Sequence, residues 1–179
     1  MMNLLSLEQG INRISDGLGK FAAVLFLLML LNVFYDVSAR YLFNSVSIGM
    51  QELEWHLFAA MFMLGIPFAL RAGSHVRVDI IYDRLSRNRR AWIDILCTLF
   101  LLFPFTLLVA WYGIGFAYEA YQIGEGSPDP GGLPQRWVIR SVITIAMVFN
   151  FISGIGLLLH SINILRGHHQ DEVYVPPQH

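Results

Sequence analysis

Residues 51–90 read QELEWHLFAAMFMLGIPFALRAGSHVRVDIIYDRLSRNRR, and this stretch decides the fold. Two acids, Glu52 and Glu54, stand beside Trp55 and His56 at its start. An uncharged, almost wholly apolar run follows from Leu57 to Leu70. The chemistry then reverses: Arg71, His75, Arg77, Arg84, Arg87, Arg89 and Arg90 crowd together. An apolar run with acids and an aromatic at one end and dense arginines at the other is the pattern of a helix leaving a membrane. Short loops rich in Lys and Arg stay on the cytoplasmic side, so the arginine cluster sets the orientation.

Composition agrees. The chain has 179 residues and is 55% hydrophobic, with a mean hydropathy of +0.53, above the range of ordinary soluble domains. A net charge of −1 gives no bulk attraction to nucleic acid, and none is expected as a partner. The single cysteine, Cys97, lies in an apolar run and has no partner for an intrachain disulfide.

Working outward from the decisive stretch, three further spans emerge. Before it, Leu4, Leu7, Ile11, Ile14 and Leu18 recur at helical spacing with Glu8, Asn12, Arg13 and Asp16 between them. This segment leads into an apolar run, giving a span over about 17–43. Asp36 and Arg40 are four apart on that span, share a face and can pair. A second span covers about 47–71. Within it Gly65, Ala69 and Gly73 form a small-residue row that lets another helix approach closely, and Pro67 removes a backbone donor. After the basic inner loop, 72–90, expected to lie partly against headgroups as an amphipathic turn, comes a span over about 91–119. The residues between Asp94 and Glu119 carry no charge; at 1.5 Å per residue they make about 36 Å of helix, more than the ~30 Å hydrocarbon layer. Pro104 offers a bend. A Gly/Pro-rich outer loop, 122–134, cannot continue a helix. The last span covers 137–165, and a tail from 166 to 179 is expected to be mobile.

The predicted fold is therefore an all-α integral membrane protein, one domain with four tilted transmembrane helices. Arg13, Lys20, the arginines from Arg71 to Arg90, and Arg166 fall on one side, leaving Arg40, Arg136 and Arg140 on the other. That asymmetry places both termini in the cytoplasm.

A search for chemistry finds no phosphate-binding glycine loop, no nucleophile elbow and no paired cysteines. The reading is of a chain that is not an enzyme and carries no cofactor or metal. Histidines near spans raise a haem-bearing electron-transfer subunit as an alternative, but His56 and His160 fall at opposite ends of their helices. No charged residue falls in the middle of a span, where ion and substrate paths are usually marked. A self-assembling channel is the other alternative.

The chain also resembles the small membrane subunit of tripartite ATP-independent periplasmic (TRAP) transporters, the DctQ-like family. The residues that carry this are Glu52-Leu53-Glu54-Trp55, Leu64-Gly65-Ile66-Pro67 and Leu70-Arg71-Ala72-Gly73-Ser74-His75-Val76-Arg77-Val78-Asp79. Arg40-Tyr41 and Gly126-Ser127-Pro128-Asp129-Pro130-Gly131-Gly132-Leu133-Pro134-Gln135-Arg136-Trp137 add to it, so the likeness runs from Asp36 to Gly156. The resemblance implies an accessory subunit in the bacterial inner membrane. Its implied partners are a large DctM-like membrane subunit and a periplasmic substrate-binding protein, for uptake of an organic acid. By motif it marks Glu52, Gly65, Arg71, Gly73, His75, Asp79, Pro134 and Trp137 as structurally important; Ala69 joins them from the small-residue row. The acidic outer residues Glu119, Glu125 and Asp129 are the candidate docking face.

Overall fold

The computed structural model describes residues 4–73 and 85–167. Four long helices account for most of them: α1 (Leu4–Phe43), α2 (Ile48–Arg71), α3 (Arg87–Gln122) and α4 (Trp137–Leu165). Each is long and apolar enough to cross a membrane. The middle of the basic connection and the tail beyond 167 lie outside the described residues, and with them the amphipathic inner turn.

α4 is the hub. α1 and α2 pack on each other and both on α4, whereas α3 packs along α4 and makes no comparable contact with α1 or α2. A small apolar centre forms where Leu25, Leu64 and Ala146 meet, with Leu18, Leu57 and Val142 against it. Outside it, large apolar side chains face outward: Leu31, Phe34, Phe100 and Trp111 are all strongly exposed. Lipid tails are as apolar as leucine, so outward apolar surface costs nothing here and burial gives little drive for helices to associate.

α1 shows what takes the place of that drive. It begins at Leu4, well before the position near Gly17 where the sequence places the span. Its buried positions are Glu8, Ile11, Ser15, Ala22, Leu25, Asn32 and Asp36, spaced by threes, fours and sevens along one face. This face overlaps only in part with the apolar stripe of the sequence: Ile11 belongs to both, and Leu18 packs against the apolar centre. Leu7 and Ile14 are exposed, while Glu8 and Ser15 are only 5% and 1% exposed. In a helix surrounded by lipid the polar groups turn inward to find partners. Ser15 Oγ lies 2.7 Å from Ser153 Oγ on α4 and also donates to the carbonyl of Ile11.

Glycines set the spacing elsewhere. A Cβ on Gly154 would stand 2.8 Å from Leu102 and Phe103, and one on Gly113 would stand 2.6 Å from Thr144 Oγ1. These two contacts seat α3 on α4, helped by the Phe103 and Phe151 rings, 4.4 Å apart. Just before Pro104 the helix widens into a π-helical turn, Thr98–Leu102, with the N–H of Phe103 reaching back to Thr98. Pro104 has no N–H to offer one turn back, which leaves backbone carbonyls to be satisfied. Thr106, fully buried, donates to the carbonyls of Leu102 and Phe103 at 2.8 and 3.1 Å.

The α1–α2 contact yields a test. A Cβ on Gly19 would meet the Phe68 ring at 2.6 Å and its Cβ at 3.1 Å, whereas a Cβ on Gly65 would meet Ala22 at an ordinary 3.9 Å. Gly19→Ala is expected to destabilise the protein by about 1–3 kcal/mol, the usual cost of overpacking. Gly65→Ala is expected to be neutral. Thermal unfolding in detergent compares them directly, and equal midpoints contradict this packing.

Candidate functional site

The end of the molecule where α2 begins, the outer one by the sequence expectation, is built around Glu52. Ser47 caps α2, its side chain accepting from the N–H of Met50, and Glu52 follows just past the first turn. Its carboxylate is 6% exposed. Oε1 accepts from Ser127 Oγ at 2.5 Å and Oε2 accepts from the N–H of Leu133 at 2.6 Å. Both donors belong to the Gly/Pro loop between α3 and α4, so one carboxylate clasps that loop down onto α2.

The loop is shaped to be held this way. Asp129, Pro130, Gly131 and Gly132 form a tight turn closed by the Gly132 N–H on the Asp129 carbonyl at 3.0 Å. Pro130 and Gly131, with φ +84°, occupy the positions that a type II turn requires. Ser127 donates its N–H to the carbonyl of Leu133, and its Oγ accepts from the N–H of Asp129. Gly132 cannot carry a side chain: a Cβ would lie 2.4 Å from Ser127 and 2.8 Å from Glu52 Oε2. At Gly49 a Cβ would lie 3.1 Å from the Gly131 carbonyl oxygen, so loop and helix meet backbone to backbone.

A second fastening holds the base of the loop. Arg140 on α4 pairs with Glu125 at 2.5 Å and lies 3.9 Å over the Phe116 ring of α3. Arg136 donates its N–H to the Glu125 carbonyl. Trp137, the first residue of α4, meets Tyr121 edge-on at 5.6 Å. Gln135, just before it, has a φ of +61°, a strained left-handed conformation for a side-chain-bearing residue. Pro134, Glu119 and Asp129 are exposed. Of the three acidic outer residues, Glu125 is therefore tied within the chain, while Glu119 and Asp129 face outward.

The opposite end, expected from the sequence to be the inner one, carries a cluster that sequence reasoning missed. Glu8 of α1, buried, accepts from Asn163 Nδ2 at 2.7 Å and lies 2.9 Å from His160 Nδ1, both on α4. Arg71, at the end of α2, pairs with Asp16 on α1; both are about a third exposed, so the pair adds at most about 1 kcal/mol. Gly65 faces Ala22 of α1, and Ala69 is half-buried. Gly73, with φ +66°, lies beyond α2 and donates to the Leu70 carbonyl, ending the helix. His75 and Asp79 lie outside the described residues. Polar residues at seven-residue spacing on α1, Glu8 and Ser15, were the available signal for the inner cluster.

The chain is similar in sequence to known proteins. A family profile described as "Tripartite ATP-independent periplasmic transporters, DctQ component" matches residues 29–163. The chain is 29% identical over 145 residues to the sialic acid TRAP transporter permease protein SiaT of Haemophilus influenzae (strain 86-028NP), covering 79% of this chain and 22% of that protein. It is 32% identical over 105 residues to the C4-dicarboxylate TRAP transporter small permease protein DctQ of Rhodobacter capsulatus, covering 57% of this chain and 45% of that protein. The chain thus spans less than half the length of either relative. The matched region takes in Glu52 and the whole loop it clasps, and leaves out Glu8 and Ser15.

The clasp predicts a local lesion. Gly132→Ala pushes against Ser127 and Glu52 and is expected to release the loop, at a cost of about 1–3 kcal/mol. Protease added to the protein in detergent should then cut between residues 124 and 136 faster than in the wild type. An unchanged cleavage rate contradicts the clasp.

Proposed function

The chain belongs to the DctQ component family of tripartite ATP-independent periplasmic transporters, and from that membership we propose that it is the small accessory subunit of such a transporter in a bacterial inner membrane. In this reading it braces a large DctM-like permease, and its outer loop helps receive a periplasmic substrate-binding protein that delivers an organic acid. The observation that carries the proposal is the family match, which begins within α1 and ends within α4 and so takes in parts of all four helices. The two relatives are named for sialic acid and C4-dicarboxylate transport; both are acids, and an organic acid is the substrate class proposed here.

The geometry supports a brace. Several polar groups inside the spans hold helices together: Asn32 Nδ2 with the Met50 carbonyl, Ser15 with Ser153, Thr144 with the Ala110 carbonyl. The outer loop, fastened by Glu52 and by the Glu125–Arg140 pair, presents the exposed tip Pro128–Gly131. A preformed loop loses less conformational entropy on docking than a mobile one. Glu119 and Asp129 give the presented face its acidic character, with Glu125 at its base. Both termini are assigned to the cytoplasm, so that this loop faces the periplasm. Of the residues marked through the resemblance, Glu52, Pro134 and Trp137 belong to this outer structure, and Arg71 and Gly73 to the inner end of α2.

Two measurements test the proposal. Affinity purification of the tagged chain from its native membrane should recover a large multi-pass permease; recovery of a haem-containing oxidoreductase instead contradicts it. Asp129→Lys should weaken uptake when the binding protein is limiting, more at low salt than at high, because exposed charges are screened beyond about 8–10 Å. Uptake unchanged at every salt concentration removes this face as the docking site.

A further inference from the structure

Two oxygens on the outer half of α1 lack a hydrogen-bond donor. Asn32 and Asp36 are 7% and 5% exposed, and Asn32 Oδ1 and Asp36 Oδ1 are fully buried without a partner among the described residues. The other half of each side chain is fixed. Asn32 Nδ2 donates to the Met50 carbonyl on α2 at 2.9 Å, and a carbonyl can only accept, so the amide cannot be turned to hide its oxygen. Asp36 Oδ2 accepts from Arg40 at 2.6 Å. Residues four apart on a helix are neighbours, with Cβ atoms about 6 Å apart. The two orphaned acceptors therefore belong to adjacent side chains on one face.

We propose that a single ordered water molecule is bound between Asn32 and Asp36, donating one hydrogen to Asn32 Oδ1 and the other to Asp36 Oδ1. The count of groups selects water. Two acceptors are unsatisfied, and a water molecule has two donors. Two hydrogen bonds of about 2.8 Å meeting at a water oxygen span about 4.5 Å, a distance open to side chains one helical turn apart. A sodium ion fits less well, because Arg40 already balances the Asp36 charge and the site lacks hydrogens rather than positive charge. Leaving both oxygens bare inside a membrane helix pair is costly, and a buried water with polar partners is the usual remedy.

The water has a structural consequence beyond α1. It holds the Asn32 amide in the orientation that grips Met50, and Met50 lies two residues before Glu52. The outer turn of α2 is thereby tied to α1 on one side and to the loop on the other.

A map of the full transporter at a resolution that shows waters is the direct test. The expected result is one peak within about 3 Å of both oxygens; a filled site coordinated by further oxygens, or no peak, overturns the proposal. Stability measurements give a second arm. Asn32→Ala and Asp36→Ala should each lower the unfolding midpoint by about 2–4 °C, and the double variant should lose less than the two shifts together, since the first change already robs the water of a partner. Additive losses mean that the two oxygens share no ligand. The wild-type midpoint should be the same in sodium, potassium and choline chloride at equal ionic strength; a sodium-specific rise replaces the water with a bound cation.

Discussion

Inside a bilayer a polar group has no water to fall back on, and every packing choice in this subunit follows from that constraint. Apolar side chains gain little by turning inward when lipid surrounds the protein. The interior is instead made of small residues that let backbones approach and of polar groups that must find each other. α4 shows this plainly: Asn150, Ser153, Gly154, Gly156, Ser161 and Asn163 are buried, while Val138, Ile145 and Val148 are exposed. α1 answers it with Glu8 and Ser15, and α3 with Gly113 and the bulge before Pro104.

The same rule shapes the outer face, where lipid gives way to water. A buried carboxylate with two hydrogen bonds is costly to disturb, because each lost partner leaves a charged group unsatisfied. Glu52 uses both of its oxygens to fix a loop that glycine and proline have already bent. The result is a rigid presented surface on a bundle whose buried polar groups are turned to internal packing. Such a division is what the proposed bracing role asks for, in a chain that belongs to a transporter component family.

Much of this could be read in the residues. The uncharged run Leu57–Leu70 beside the arginine cluster, and the Gly/Pro-dense stretch after α3, are enough to give four membrane helices and a turned outer loop. The partners of Glu52 could not be read. They lie 75 and 81 residues along the chain, and a lone glutamate near a helix start gives no hint of them; the resemblance marked the position without giving its contacts. The buried face of α1 could not be picked out, because Leu4, Leu7, Ile11, Ile14 and Leu18 obey helical spacing as well as the true buried set does, and only Ile11 belongs to both. Periodicity finds a stripe but not which side meets protein, and in lipid the more polar side does. The inner cluster of Glu8, His160 and Asn163 was hidden for the same reason.

The central claim is that this chain supports transport by a partner without forming a path itself. Uptake of a radiolabelled organic acid into proteoliposomes tests it most directly, with three preparations compared in the presence of the cognate binding protein: the chain alone, the large permease alone, and both together. The account predicts uptake only when both membrane proteins are present. Uptake or ion conductance by the chain alone, or full uptake by the large permease without it, would contradict the account.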